Sequence, residues 1–348
     1  MTKKITVNDT LDYPYSKRPP NGEVLEVSPN LYWLRMPLPI ALNHINLWLL
    51  EGKNGWTIID SGMANDESKD IWINLFETIF KGKALEDLLI THMHLDHSGL
   101  AGWLSDYWEV DPHFTEKEYQ ETQLLSKGIE KSQEFIALDF YKSCGYDDAS
   151  IKRYLERVTY RKTLVTPINR NYKKIKNNEI ITLGDNEWEV VIANGHSPEH
   201  ACLYSKENNI FMCGDATLPR ITPNISVSPF HADSNPLDDW INSLKNIKKR
   251  IPDDALILPS HGYPYYGAHK RIDSIIEDHM EKLESLYAFC NQSKNVIEVF
   301  PALFANKINE NALILAVGES LAHLNYLIGE GRMGMKKNND GINYYKSI

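Results

Sequence analysis

The segment Thr91–His97, with the sequence THMHLDH, directly follows an apolar run that predicts a β-strand. Its His92, His94 and Asp96 alternate along the chain, whereas Asp96 and His97 are neighbours and point in different directions. Imidazole and carboxylate groups are ligands that zinc and similar ions favour. One short turn with this spacing can serve two adjacent ions but cannot complete the ligand shell of either, so the fold must supply further ligands.

Three more polar residues lie at the predicted ends of strands, each close to a glycine: His196, Asp215 and His261. We therefore expect four strand-end loops to converge in one cleft. The expected ligand sets are His92, His94 and His196 for one ion and Asp96, His97 and His261 for a second, with Asp215 as the bridge. Water held by such ions is a nucleophile near neutral pH, because the metal lowers its pKa from about 15.7 to roughly 7.

Strand-rich blocks alternate with helices along the rest of the chain. Short runs of branched and aromatic residues predict strands over residues 24–59, with Asn54-Gly55 as a hairpin turn. Residues 115–161 are polar with a helical period and predict a helical insertion, and the chain from residue 271 onward is mostly helical. Asn235 is expected to cap a helix that begins at Pro236. This order predicts a layered α/β architecture of sheets covered by helices.

Taken together, the HxHxDH turn, the distant histidine, the Gly-Asp aspartate and the final histidine resemble the metallo-β-lactamase superfamily. The flanks agree, since TIIDSG around Asp60 and GHSPEH around His196 resemble family motifs, although Glu199 replaces a usual glycine. The resemblance covers residues 24–267. It implies an αββα sandwich and a hydrolase with two divalent metal ions, commonly zinc, with iron or manganese in some branches. It also implies that Asp96 and Asp215 take part in catalysis.

The C-terminal segment LAHLNYLIGEGRM resembles the helical or winged-helix-like appendage of a β-lactamase-like, glyoxalase-II-like branch. Members of that branch include thioesterase-like hydrolases and endoribonucleases. We therefore predict a catalytic domain over residues 1–270, with its helical insertion at about 115–161, and a C-terminal cap over residues 271–348.

Several residues near the expected ligands have two interpretations each. Asp60 either orients a ligand histidine or caps a helix, and His200 supports the site or lies on the surface. Arg220, His231, Tyr263 and Tyr265 are candidates for substrate contact, against ordinary packing or salt bridges. Cys213 is expected to be a buried strand residue. The basic run from Arg161 to Lys176 is either a solvated loop or the rim of a site for an anionic substrate.

Composition limits the classes of partner that this chain is expected to bind. The chain of 348 residues has a net charge of −10, which argues against a nucleic-acid partner. Its first twenty residues lack the apolar region of a signal peptide, and the most apolar early segment, residues 31–50, is too interrupted by polar residues and prolines for a membrane span. The four cysteines form no CxxC pair and indicate reduced thiols. We expect a cytoplasmic protein with a small-molecule substrate and no membrane partner, and a homodimer is compatible with the sequence.

The expected activity is hydrolysis of an ester, thioester or lactone by metal-bound hydroxide. Phosphodiester cleavage, including endoribonuclease activity, is the alternative that the same ions would support. A non-catalytic metal-binding protein is a second alternative. Structural zinc sites are usually closed and rich in thiolates, whereas the expected ligands include no cysteine.

Overall fold

The computed structural model describes residues 11–128 and 130–348. The prediction that the first twenty residues contain no signal peptide falls partly on residues 1–10, which lie outside the described residues. Two sheets face each other across a shared apolar layer, which includes Trp33, Trp48 and Leu89 of one sheet and Trp188, Leu203 and Leu258 of the other.

The first sheet has seven strands in chain order, antiparallel at its N-terminal side and parallel from its fourth strand onward. The predicted Asn54-Gly55 hairpin joins its third and fourth strands. The strands are β1 (Val24–Ser28), β2 (Leu31–Pro37), β3 (His44–Glu51), β4 (Gly55–Ile59), β5 (Ala84–Leu89), β6 (His113–Phe114) and β7 (Lys173–Lys174).

The second sheet has five strands in the order β12-β11-β10-β9-β8, antiparallel except for the pair β11 and β12. A parallel pair needs a crossover connection, and a helix supplies it here. The strands are β8 (Ile180–Leu183), β9 (Asn186–Ala193), β10 (His200–Ser205), β11 (Ile210–Gly214) and β12 (Leu256–Pro259).

Helices cover the outer faces of both sheets and complete the predicted αββα sandwich. On the first sheet lie α1 (Asp66–Thr78), the short α2 (Leu95–Ser98) and α3 (Ala101–Trp108). On the second lie α7 (Pro236–Arg250), which is the crossover, and α8 (Ala268–Phe289). Asn235 takes the N-cap position of α7 as predicted, but its side chain makes no capping hydrogen bond, because its backbone lies outside the usual extended conformation.

Three helices lie between β6 and β7, where the sequence predicts a helical insertion: α4 (Glu116–Lys127), α5 (Lys131–Ser143) and α6 (Asp148–Arg161). Buried aromatic residues of α5 and α6, among them Tyr141 and Tyr154, join the large apolar cluster that also contains the helices on the second sheet. The insertion is therefore anchored to the body of the fold.

The C-terminal region adds α9 (Phe300–Leu303) and α10 (Leu313–Gly329), together with a small antiparallel sheet of β13 (Lys294–Asn295), β14 (Met333–Lys337) and β15 (Asn343–Ser347). The sequence pattern indicated the helices but not this sheet. By length and hydropathy, Glu310–Gly329 would suit a membrane span, and 56% of its most apolar window is buried within the fold. That helix packs against α7 and α8 as a core helix does.

Candidate metal centre

Loops at the ends of four strands meet at one edge of the sandwich, as the sequence predicts. The HxHxDH turn leaves β5 of the first sheet, whereas His196, Asp215 and His261 follow β9, β11 and β12 of the second. The turn itself is short because α2 begins at Leu95, which places Asp96 and His97 on a single helical turn. The two sheets thus contribute complementary halves of one cluster.

Glycines allow two of these loops to approach so closely. Gly195 has a φ of 111°, and a Cβ there would lie 2.4 Å from the Trp240 Cβ of α7. Gly214 has a φ of 51°, and a Cβ there would lie 2.4 Å from the His200 ring. Larger residues at either position would move His196 or Asp215 out of place.

The side chains form two groups of donor atoms around Asp215. Within each group the candidate ligand atoms lie no more than 4.8 Å apart: His92, His94 and His196 in one, and Asp96, His97 and His261 in the other. A third set at the same spacing, His92, His97 and Asp215, connects the two groups. Asp215 reaches both groups, since its Oδ2 is 3.4 Å from His196 Nε2 and its Oδ1 is 3.6 Å from His261 Nε2. This is the grouping that the sequence predicts.

The unsatisfied polar atoms test whether this cluster suits metal ions. Four atoms in it are buried and lack a hydrogen-bond partner among the described residues: His97 Nε2, His196 Nε2, His261 Nε2 and Asp215 Oδ1. Buried polar atoms are normally paired, because an unpaired one costs about 1–3 kcal/mol. Converging lone pairs of imidazole and carboxylate are what a divalent cation would satisfy, so the donor set fits the expected ions.

The opposite ring nitrogens are held by the protein. His196 Nδ1 donates to Asn224 O at 2.9 Å, and His261 Nδ1 donates to His44 O at 2.9 Å. Because a carbonyl can only accept, the proton of each ring must lie on Nδ1, which leaves Nε2 with a free lone pair directed at the cluster.

Asp60 orients two of the candidate ligands. Its Oδ2 accepts from His97 Nδ1 at 2.7 Å and from the Thr91 hydroxyl at 2.9 Å, and that hydroxyl in turn accepts from His92 Nδ1 at 3.0 Å. The Thr91 backbone N–H also donates to Asp60 Oδ1 at 2.8 Å. Asp60 has a φ of 63°, a conformation that aspartate tolerates better than most residues. Its position supports the interpretation as an orienting residue rather than a helix cap.

Burial and neighbouring charges together shift the pKa values of the residues in the cluster. Burial and neighbouring imidazoles hold the pKa of His92 well below its usual range, so this ring is neutral. Burial alone would raise the pKa of Asp215, but His261 and His97 hold it well below its usual value. Burial likewise opposes protonation of His97, yet Asp60, Asp215 and Asp96 raise its pKa well above 6.5. Ionised carboxylates in a buried site require compensating positive charge, which metal ions would provide.

His200 lies behind the cluster rather than in it. Its Nε2 accepts from the Asp215 backbone N–H at 3.1 Å, and its Nδ1 is 3.5 Å from the Cys202 thiol. Burial lowers the pKa of His200 to about 3, so the ring stays neutral and keeps this acceptor. Of its two sequence-based interpretations, the supporting one fits this position.

Glu118, at the start of α4, is a buried residue that the sequence analysis missed. Its Oε2 accepts from the Met93 N–H at 2.9 Å, and its Oε1 accepts from the Ser197 hydroxyl at 2.6 Å and the Glu199 N–H at 2.7 Å. It thereby joins the HxHxDH turn to the loop of His196. The spacing Thr115-x-x-Glu118 suggests only a capping box, so no local signal indicates this role.

The remaining candidates lie away from the cavity above the cluster. Arg220 is exposed and lies 5.4 Å over the Tyr13 ring, and His231 is exposed. Tyr263 packs against Trp33, and the Tyr265 hydroxyl donates to Thr217 O at 3.3 Å. None of these four predicted contact residues lines the cavity, so their positions give the prediction no support.

Cys213 is buried as expected, and its thiol donates to Thr217 O at 3.1 Å. Burial raises the pKa of this thiol to about 12, which keeps it protonated and outside the ligand set.

A sandwich of two sheets with a histidine and aspartate cluster at one edge defines a class of metal-dependent hydrolases. Residues 41–285 match the family described as the metallo-beta-lactamase superfamily, and residues 283–348 match a metallo-beta-lactamase-like C-terminal domain. The chain therefore belongs to the metallo-β-lactamase superfamily, and it is a metallo-hydrolase of that superfamily.

Relatives along most of the chain agree with this assignment. The crystal structure of a beta-lactamase domain protein from Burkholderia ambifaria is 33% identical, with a TM-score of 0.89 over 97% of this chain and 98% of that one. Probable metallo-hydrolase YqjP of Bacillus subtilis is 24% identical over 85% of this chain and 92% of its own length. Acyl-coenzyme A thioesterase MBLAC2 of Gallus gallus is 25% identical over 69% of this chain and 80% of its own length.

Proposed function

We propose that this chain holds two divalent metal ions, zinc in the first instance with iron or manganese as alternatives, and hydrolyses a thioester or a related ester. The observation that carries the proposal is the position of Asp215 between two groups of donor atoms, each with free lone pairs. Ions bound there would polarise a carbonyl oxygen and supply hydroxide at neutral pH.

The residues of this chain would fix the geometry of the reaction. Asp215 and Asp96 are held ionised by the histidines around them, so both oppose the loss of positive charge from the site. Hydrogen bonds from His196, His261 and His97 to the protein frame prevent rotation of the rings. Such preorganisation lowers the cost of reaching the transition state.

A cavity of about 1010 Å³ opens directly above the candidate ligands, with His94, Asp96, His196, Asp215 and His261 in its wall. Its other walls come from α6, the loop after β11 and the segment that leads into α10. This volume suits a small-molecule substrate rather than a folded macromolecule. Similarity to acyl-coenzyme A thioesterases favours a thioester among the carbonyl compounds considered.

The test combines a metal count with a substrate panel. Purified full-length protein should contain about two transition-metal ions per chain by plasma mass spectrometry. It should hydrolyse a medium-chain acyl-coenzyme A faster than a p-nitrophenyl ester, a lactone or bis(p-nitrophenyl) phosphate. Full activity in protein stripped of metal would refute the metal dependence, and cleavage of only the phosphodiester would refute the carbonyl substrate.

A further inference from the structure

One row of arginines on α6 faces the cavity that contains the candidate ligands. Arg153, Arg157 and Arg161 recur every four residues, which places them on one side of the helix, and all three line the cavity. The row ends at Arg161, the last residue of α6. This row places positive charge in the α6 wall, whereas Glu156, Glu310 and Glu319 contribute acidic groups elsewhere in the lining.

The three arginines are not equivalent, because two of them are engaged by the protein. Arg153 donates to the Ser150 hydroxyl at 3.0 Å and faces Glu310 Oε1 at 3.6 Å. Arg157 donates to the backbone carbonyl of Asn311. These two therefore attach α6 to the segment that leads into α10.

Arg161 is different, since it forms no hydrogen bond or ion pair with any residue for which the structure describes contacts. Its side chain is half-buried in the cavity wall. Burial, followed by the charge of Arg157, lowers its pKa, as is expected of a guanidinium that the cavity wall partly removes from water. A partly desolvated guanidinium with free donors is stabilised by an anion with matching oxygens.

Three other cations of the basic run from Arg161 to Lys176 have acidic partners at the surface. Arg170 lies 3.5 Å from Asp111, Lys173 lies 2.8 Å from Asp87, and Lys174 pairs with Glu116. These three cations belong to local surface pairs, as the interpretation of a solvated loop requires. Arg161 differs from these three cations because it lies at the end of α6, where its side chain lines the cavity.

Apolar residues form much of the remaining wall. Ile40 and Leu42, on the loop between β2 and β3, are 49% and 37% exposed, and Leu315 near the start of α10 is 45% exposed. Exposed apolar side chains around a polar centre are typical of a binding site for a partly apolar ligand. The cavity thus combines an apolar surface with one cationic group that has no partner among the described residues.

We propose that Arg161 determines specificity by binding an anionic group, a carboxylate or a phosphate, of an amphipathic substrate whose reactive carbonyl lies at the metal centre. This inference rests on the proposed function and narrows its substrate class. The fork of the guanidinium would accept two oxygens of either group. The charge lies on the part of the substrate that reaches the α6 wall.

The test uses metal-loaded full-length protein, the variants Arg161→Gln and Arg161→Lys, and substrates in pairs with and without the anionic group. Decanoyl-coenzyme A and decanoyl-N-acetylcysteamine form a thioester pair with and without phosphates. Mono-p-nitrophenyl adipate and p-nitrophenyl hexanoate form an ester pair with and without a carboxylate. The substrate pair whose kcat/KM ratio changes in the Arg161 variants identifies the anion as a phosphate or a carboxylate.

In Arg161→Gln, the ratio of kcat/KM for the charged substrate to that for its neutral partner should fall about 10- to 100-fold, mainly through KM. Arg161→Lys should recover part of this ratio, since it keeps the charge but not the fork. Lys152→Gln is the matched control, because Lys152 is exposed on the same helix and pairs only with Glu156. An unchanged ratio in both pairs would overturn the proposal.

A binding measurement separates this inference from the proposed function. Calorimetry with coenzyme A and with adipate, which need no turnover, should show at least one of them binding about 10- to 100-fold more weakly to Arg161→Gln than to the unaltered protein. Equal binding of both would overturn the role of Arg161. Protein that binds the anion through Arg161 but hydrolyses none of the substrates would instead refute the proposed function.

Discussion

Two buried groups of histidines in this molecule have opposite surroundings. In the metal centre, ring nitrogens without partners converge on Asp96 and Asp215. In the C-terminal region, His279 of α8 and His323 of α10 contact each other, with His279 Nδ1 3.1 Å from His323 Nε2 and the rings 5.2 Å apart. His323 Nδ1 donates to Glu319 O at 2.8 Å, and no described carboxylate bonds either ring.

The difference concerns charge rather than burial. Three carboxylates raise the pKa of His97, whereas burial holds the pKa of His279 well below 6.5 and that of His323 at about 4. The pair between α8 and α10 is therefore neutral and joins two helices. A buried histidine becomes a candidate ligand only where carboxylates and free ring nitrogens converge, and four experiments can test that distinction.

Removal of the bridging carboxylate should have the largest effect. Asp215→Asn loses a negative charge and one of two anionic oxygens between the donor groups, so we expect hydrolysis to fall roughly 10³-fold. Plasma mass spectrometry should show less than two ions per chain. Asp233→Asn, an exposed aspartate, is the control. Full activity and full metal content in Asp215→Asn would contradict the assignment of the centre.

Loss of the Asp60 charge should weaken the centre without abolishing it. Asp60→Asn keeps a residue that tolerates the left-handed backbone but weakens the acceptor for His97, so metal affinity should fall about 10- to 100-fold. Competition with a chromophoric chelator measures this affinity. Excess metal should restore most of the activity, whereas an unchanged affinity would show that Asp60 does not orient the ligands.

The Glu118 contact should affect stability more than chemistry. In Glu118→Gln, the amide NH₂ would face either the Met93 N–H or the donors from Ser197 and Glu199, so the free energy of unfolding should fall by about 1–3 kcal/mol. Urea denaturation of the metal-loaded protein measures it. Glu116→Gln on the same helix removes only an exposed pair with Lys174 and should lower the free energy of unfolding much less. An equal loss of unfolding free energy in the two variants would show that the hydrogen bonds of Glu118 contribute no more than an exposed ion pair.

These residues also show how far the sequence predicts the site. His196, Asp215 and His261 are predictable because each lies at the end of a strand next to a glycine, and residues at strand ends on one edge of a sheet lie close together. Glu118 is not predictable, because a polar residue on an amphipathic helix reveals its face but not the element across from it. For the basic run that begins at Arg161, the sequence leaves a solvated loop and the rim of an anion site as alternatives. Asp60 is intermediate: the resemblance indicates its role, but only the fold shows its bond to His97.

The same reasoning applies to whole elements. The αββα sandwich follows from alternating strand and helix patterns together with the resemblance. The sheet of β13, β14 and β15 is missed because Lys294–Asn295 and the polar Met333–Lys337 lack the apolar alternation by which strands are recognised. The identities of the ions and of the substrate remain proposals, since no sequence pattern specifies them.

At neutral pH the smallest effect is expected at the His279 and His323 pair, and this effect grows as the pH falls. Their folded-state pKa values lie below the unfolded value near 6.5, so the unfolded chain binds more protons and stability falls as pH decreases from 6.5 toward 4. Each histidine contributes roughly 1.4 kcal/mol per pH unit within that window. His279→Asn replaces the donating Nδ1 by an amide and removes one titrating group, so its denaturation free energy should decline less steeply than that of the unaltered protein. His231→Asn, at an exposed site, should leave the slope unchanged. Identical slopes in all three proteins would contradict a contribution of His279 to the acid sensitivity of the fold.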